Sequence, residues 1–219
     1  NAESGTSVSG AGDINGDGLD DLLVGAPFGG ATGQTYVIFG ADQKWPASLE
    51  ASALDGTNGF VIAGEAVADS AGISVSAAGD LNKDGFADIV IGAPDASPEG
   101  TSTGTAYVVY GTDQGFSNPL QLSSLNEATG FRINGVETGD QAGSSVAAAG
   151  DINADGIDDL IVGAPNADPS GSESGAAYVV FGQAQNFANS VSLSSLDGTN
   201  GILIVGIAAG DKAAASVAK

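Results

Sequence analysis

The chain has 219 residues, with 27 acids against five bases, a net charge of −22, and no cysteine, methionine or histidine. A polyanion of this kind repels nucleic acid and anionic lipid. No apolar run approaches the roughly 20 residues that cross a bilayer, and disulfides, thiolate-zinc sites and histidine-based catalysis are all closed to it.

From the N-terminus, the first predicted strand surrounds Ser7-Val8. A stretch rich in acids, Ala11 to Pro27 (AGDINGDGLDDLLVGAP), then enters a second strand at Leu22–Val24. The third strand is Thr35-Tyr-Val-Ile-Phe-Gly40 and the fourth is Phe60–Ala63. The series then returns. Ser74-Val75 leads to Ala78–Pro94 (AGDLNKDGFADIVIGAP), with its strand at Ile89–Ile91, then to the run ending at Tyr110-Gly111 and the one around Phe131. Ser145-Val146 leads to Ala149–Pro165 (AGDINADGIDDLIVGAP), with its strand at Leu160–Val162, then to the runs around Tyr178 and Ile202, and Ser216-Val217 opens a further copy. The first acids, Asp13, Asp80 and Asp151, are 67 and then 71 residues apart.

These runs are short, rich in Val and Ile, and bounded by Gly, Pro, Asn and Asp, while no sustained 3.6-residue apolar period announces a helix. The 35 glycines suit many tight turns. Four strands per fixed period describe propeller blades, so the expected class is all-β. The chain divides as 1–53 (a first blade lacking one strand), 54–124 and 125–195 (second and third blades), and 196–219 (a closing strand of a further or shared blade). In this division Leu196–Gly206 has no later strands of its own to pair with.

The acids have a spacing. With Asp13 as position 1, Asn15 is position 3, Asp17 position 5, Leu19 position 7 and Asp21 position 9. The second copy has Asp80, Asn82, Asp84, Phe86 and Asp88, and the third Asp151, Asn153, Asp155, Ile157 and Asp159. Alternating oxygen side chains on a tight loop can converge on one point, with position 7 contributing its backbone carbonyl and Gly18, Gly85 and Gly156 at the sharp turn. This is what six to eight hard oxygens around calcium require; magnesium wants a more compact octahedron. The first six positions look like an EF-hand, but position 12 is Val24, Ile91 or Val162, inside a strand, where an EF-hand needs a bidentate Glu. Position 8 is Asp20, Ala87 or Asp158; the alanine argues that it is not an essential ligand and should point away from the metal. Asx-turn chemistry accounts for one or two acids per loop but not for three carboxylates in nine residues, three times over. Three Ca2+ ions per chain are expected.

The motif D-x-N-x-D-G-x-x-D, followed by L-x-V-G-A-P and Y-V-x-F-G, resembles the FG-GAP repeat of the integrin α-subunit propeller and its prokaryotic relatives, over the whole chain. The resemblance implies a seven-bladed β-propeller in which each acidic loop joins the first and second strands of a blade on the lower rim. It also implies structural calcium sites and ligand recognition on the opposite face. By analogy that face carries Pro27–Gly33, Pro94–Gly104 and Pro165–Gly175, with the turns Gly64–Gly72, Gly135–Gly143 and Gly206–Asp211. One departure is that the family's Phe-Gly before the Ser-Val strand is Ala71-Gly72, Ala142-Gly143 and Ala213-Ala214 here. The series Tyr36, Tyr107 and Tyr178, at a repeated strand position, reads as core packing rather than a sugar-binding row.

The function expected is a calcium-stabilised, non-enzymatic adhesion or binding module of an extracellular or cell-surface protein, with an unidentified protein or glycan ligand and no catalytic residues. The alternative is a propeller scaffold segment of a larger secreted hydrolase. Three blades fall short of the roughly four to eight of closed propellers. A second chain should therefore complete the ring, as a homodimer of six blades or another chain, or else further blades lie in polypeptide outside these residues.

Overall fold

The computed structural model describes residues 2–97 and 102–218. Its strands are β1 (Ser7–Gly12), β2 (Asp21–Ala26), β3 (Gln34–Ile38), β4 (Gly59–Ala63), β5 (Ser74–Gly79), β6 (Asp88–Ala93) and β7 (Thr105–Val109). They continue as β8 (Leu120–Gln121), β9 (Gly130–Asn134), β10 (Ser145–Gly150), β11 (Asp159–Ala164), β12 (Ala176–Val180), β13 (Ser190–Ser192) and β14 (Gly201–Val205). No α-helix occurs among the described residues.

The strands form three sheets ordered β1-β2-β3-β4-β8, β5-β6-β7-β9-β13 and β10-β11-β12-β14. Each core is a four-stranded antiparallel meander, in which sequence neighbours pair, as short connections favour. The fold is thus an all-β row of three propeller blades that does not close on itself. β1, β5 and β10 lie side by side at its inner edge. There Ser7 Oγ accepts from the Val75 amide at 3.0 Å, and Ser74 Oγ from the Val146 amide at 3.1 Å.

The sheets cut the chain differently from the expected divisions. β4 completes the first blade, with Tyr36 opposite Val61, and does not open the second. Likewise β14 pairs with β12 in the third blade, Tyr178 opposite Leu203, so Leu196–Gly206 has its partner. A repeat period fixes spacing but not phase, and any of the four strands could have been counted first. The blade cores run from β1, β5 and β10 to β4, β9 and β14.

Packing is between blades. Leu23, Val37, Phe60 and Ile62 of the first sheet meet Ile89, Ile91, Tyr107 and Val109 of the second. Val90, Val108, Phe131 and Ile133 of the second meet Leu160, Val162, Tyr178 and Val180 of the third. β6 is therefore buried along its full length on both faces. The connections after β7 and β12 reach back over the preceding blade. Phe116 stacks on Phe60 with centroids 4.3 Å apart, and Phe187 on Phe131 at 4.2 Å. The same connections supply the short parallel straps β8 and β13, with Leu120 beside Ile62 and Val191 beside Ile133. The Gly of L-x-V-G-A-P permits a different close approach, by the turn before the first strand of the next blade, since a Cβ on Gly25 or Gly92 would run into the carbonyl of Gly72 or Gly143.

Candidate metal centres

Each acidic loop joins the first and second strands of its blade, as the resemblance implied. The first strand leaves its ladder at a bulge, between Gly10 and Gly12, Ala77 and Gly79, or Ala148 and Gly150. A bulge re-aims the chain out of the sheet. Gly12, Gly79 and Gly150 take φ of 71, 79 and 69° there, the left-handed region that favours glycine.

The position 1 carboxylate gathers the turn around itself. Asp13 Oδ1 accepts from the amides of Gly16 (2.7 Å) and Asp17 (3.0 Å), and Oδ2 from Gly18 (2.8 Å). Asp80 accepts from the amides of Asp84 and Gly85, and Asp151 from Asp155 and Gly156. Position 4 is Gly16, Lys83 or Ala154, yet φ is 75, 59 and 62°. A left-handed conformation costs a non-glycine residue about 1–2 kcal/mol, so the loop shape overrides the local preference of Lys83 and Ala154.

Positions 3 and 5 are tied together. Asn15, Asn82 and Asn153 each donate from Nδ2 to the position 5 carboxylate at 2.8–3.0 Å, and each accepts the position 5 amide. Asp17, Asp84 and Asp155 also accept the amide of position 7, which is Leu19, Phe86 or Ile157. Position 9 anchors the loop to the sheet. Asp21, Asp88 and Asp159 accept from the position 2 amide (Ile14, Leu81 or Ile152) and from Gly40, Gly111 or Gly182, the glycine after the third strand. Asp88 and Asp159 are wholly buried.

Burial pushes the Asp88 carboxyl well above the usual carboxylate range. The Gly111 and Leu81 amides oppose this, and the charges of Asp84 and Asp80 add to it. Asp21 is raised by the same causes, burial first, with Asp17 and Asp13 contributing. The ion pairs among the described residues, Arg132–Glu65 at 3.3 Å and Lys212–Glu173 at 3.0 Å, involve no loop acid.

The loops therefore carry more backbone capping than expected. All four oxygen side chains in each loop accept main-chain amides, where Asx chemistry was expected to explain one or two. A carboxylate or amide oxygen has lone pairs left after one such bond, so the donor sets fit a hard cation chemically. Among the described residues, no group of three or more acidic side chains is gathered closely enough to hold a metal as it stands.

Position 8 belongs to the next junction. Asp158 Oδ2 accepts the Asp80 amide at 3.1 Å, from the third loop to the second. A Cβ on Gly79 would strike this carboxylate, and one on Gly12 would strike Ala87. Position 7 does likewise, since the Phe86 ring lies against Gly16. Sequence reasoning assigned these side chains nothing. The glycine before each first acid was the available signal.

On the opposite ends of the blades, Tyr107 Oη donates to Glu65 Oε2 at 2.9 Å, and Arg132 Nη1 approaches Glu65 Oε1 at 3.3 Å. Asp69 and Asp140 cap their turns through the amides of Ala66 and Glu137, and burial raises both carboxyls. Tyr107 and Tyr178 are buried between blades, and Tyr36 is half-buried. Of the expected ligand-face loops, residues 98–101 of Pro94–Gly104 lie outside the described residues.

Comparison with known proteins matches the FG-GAP repeat three times, over residues 4–38, 71–109 and 142–180. Phosphatidylinositol-glycan-specific phospholipase D of Bos taurus is 34% identical over 178 residues, 77% of this chain and 19% of its own length. Integrin alpha-IIb of Mus musculus is 32% identical over 161 residues, 69% of this chain and 14% of its own length. Integrin alpha-6 of Homo sapiens is 41% identical over 102 residues, 47% of this chain and 8% of its own length. The chain thus spans about a fifth or less of these relatives. With three family matches on three bladed repeats, the chain belongs to the FG-GAP repeat family.

Proposed function

We propose that this chain is a calcium-stabilised, non-enzymatic propeller module of an extracellular or cell-surface protein, used for adhesion or for binding a protein or glycan. The observation that carries this reading is the threefold oxygen set Asp-Asn-Asp-Asp (positions 1, 3, 5 and 9), with three carboxyl groups in each loop and no lysine or arginine paired to it among the described residues. Bound calcium would draw on Asp13, Asn15, Asp17, Leu19 and Asp21, and on the matching residues of the other two loops. It would supply the positive charge these loops lack, and millimolar external calcium suits weak sites of this kind. Similarity to integrin alpha chains supports the adhesion reading. No helix among the described residues is long and apolar enough to cross a membrane. A second copy of the chain, or another chain, is the partner proposed to complete the ring.

Isothermal titration calorimetry tests this reading. Three Ca2+ per chain are expected, together with a melting temperature lowered by EGTA, because a ligand that binds only the folded state stabilises it. Absence of binding heat with a melting curve unmoved by EGTA refutes it.

A second reading, a scaffold segment of a larger hydrolase, is favoured by the likeness to a phospholipase D. Phosphoesterase and glycosidase assays, with and without calcium, separate the two.

A further inference from the structure

The first two acidic loops are each followed by another blade, so the support that each receives from its successor can be compared directly. The main chain treats them alike. The later blade donates an amide to the position 2 carbonyl, Thr112 to Ile14 at 2.8 Å and Gln183 to Leu81 at 2.9 Å. At both junctions the glycine before the first acid opens a space that position 8 of the next blade enters.

The side chains treat them differently. At the first junction that space holds the methyl group of Ala87, which offers Asp13 no acceptor. At the second it holds the carboxylate of Asp158, which accepts the Asp80 amide at 3.1 Å. Position 3 differs as well. Asn82 Nδ2 donates to Asp84 of its own loop at 2.8 Å and to Asn186 Oδ1, in the connection after β12 of the third blade, at 3.1 Å. Asn82 is buried as a result, whereas Asn15 is half-buried. The residue 71 before Asn186 is Gly115, which has no side chain to offer Asn15. Asn186 is itself held in place, because its neighbour Phe187 stacks on Phe131 and donates its amide to Tyr110 Oη at 2.9 Å.

Both contacts bear on a cation. Asp158 brings a fourth carboxyl group to a loop that already carries three, and no base is paired to any of them among the described residues. Lys83 belongs to this loop, yet its ammonium lies against Gly156 of the third. Like charges gathered in this way repel, and a divalent cation turns the repulsion into attraction. Asn186 acts on orientation. With both N–H groups of the Asn82 amide engaged, the amide cannot turn over. Its Oδ1 stays on the loop side, where it accepts the Asp84 amide at 3.2 Å.

We infer that Asp158 and Asn186, supplied by the third blade, are positioning residues for calcium in the second loop and make it a tighter site than the first. This rests on the calcium reading above and deepens it, since the second site takes polar side chains from two blades and the first from one.

The test titrates calcium into the full chain, stripped beforehand with EGTA. The amide resonances of Gly18 and Gly85, position 6 of the two loops, are followed by nuclear magnetic resonance, with circular dichroism as the check of fold. In the wild type Gly85 should respond at a calcium concentration about tenfold or more below that for Gly18, since partners behind metal ligands are worth roughly 10–100-fold in affinity. Asp158→Ala should raise the Gly85 midpoint by about that factor and leave the Gly18 midpoint where it was. Asn186→Ala should move Gly85 in the same direction. Asp158→Asn keeps an acceptor for the Asp80 amide without the charge, and should raise the Gly85 midpoint less than Asp158→Ala does. Ala87→Asp should lower the Gly18 midpoint. Gly18 and Gly85 responding together in the wild type, or an Asp158→Ala shift shared equally by both, overturns the inference and leaves the calcium reading standing. If Asp158→Ala loses the fold, Ala87→Asp decides, and an unmoved Gly18 midpoint overturns the inference. No response at either glycine overturns the calcium reading and the inference together.

Discussion

Replacing Phe187 tests whether stacking between blades, rather than pairing within them, holds this fold together. Phe187 is 6% exposed and lies nearly parallel to the fully buried Phe131, at 11° and 4.2 Å. Its amide donates to Tyr110 Oη at 2.9 Å, a bond that side-chain truncation leaves in place. Removing a buried phenyl costs about 3–5 kcal/mol through lost transfer energy and the cavity left behind. For a chain of this length, each kcal/mol moves the midpoint by about 2–4 °C, so Phe187→Ala should lower it by roughly 6–20 °C. Phe187→Leu keeps most of the volume and loses the ring pairing, worth about 0.5–1.5 kcal/mol, or roughly 1–6 °C. Phe28, 53% exposed, is the control; Phe28→Ala should stay within about 0.5 kcal/mol of the wild type. The assay is thermal melting by far-ultraviolet circular dichroism at a concentration that keeps the chain monomeric. A Phe187→Ala midpoint no lower than that of Phe28→Ala would refute the reasoning.

Two further predictions concern charge. Asp84→Ala or Asp155→Ala should each leave two calcium sites, read by calorimetry, whereas Asp20→Ala and Asp158→Ala should keep three. Asp158→Ala should nevertheless cost about 1–3 kcal/mol, because it strips the Asp80 amide of its partner; a loss of stoichiometry at position 8 would undo the ligand assignment. At high pH the tyrosines set the limit. Burial raises the phenols of Tyr107, Tyr110 and Tyr178, the last to about 12, and the charge of Glu65 raises Tyr107 further. Folded values above the unfolded value of about 10 mean stability that is intact below that pH and lost as pH rises through the folded values. The urea midpoint should therefore fall above about pH 10, with these phenols ionising as the protein unfolds; ionisation near pH 10 without unfolding would contradict it.

Much of this was legible because the repeats carry their chemistry in side chains. Asp13, Asp80 and Asp151 mark the loops, and Leu22–Val24, Ile89–Ile91 and Leu160–Val162 mark the second strands, of which β6 is buried on both faces. The phase of the blades was not legible, because the pairing of β4 with β3 is set by a return across residues 39–58 that leaves no periodic signal. The straps were hidden for a different reason: Leu120-Gln121 and Ser190–Ser192 are too short to show alternation. The role of Asp158 depends on the register between two blades, which no local pattern encodes. The extent of amide capping in the acidic loops depends on backbone shape, seen in the left-handed Lys83 and Ala154.

The straps also give the chain a timetable. Asn118, whose side chain accepts the Val61 amide at 3.0 Å, lies 57 residues beyond it. At elongation rates of about 5–20 residues per second, that is a wait of roughly 3–11 s during synthesis. Through this interval the fourth strand of a finished meander presents bare amides and carbonyls, the kind of edge that recruits wrong partners. The first two blades are therefore completed only when their successors are under way, and the vulnerable edge is handed forward along the nascent chain. The charge of −22 acts in the same interval, since like-charged neighbours on a crowded ribosome repel before their edges can meet.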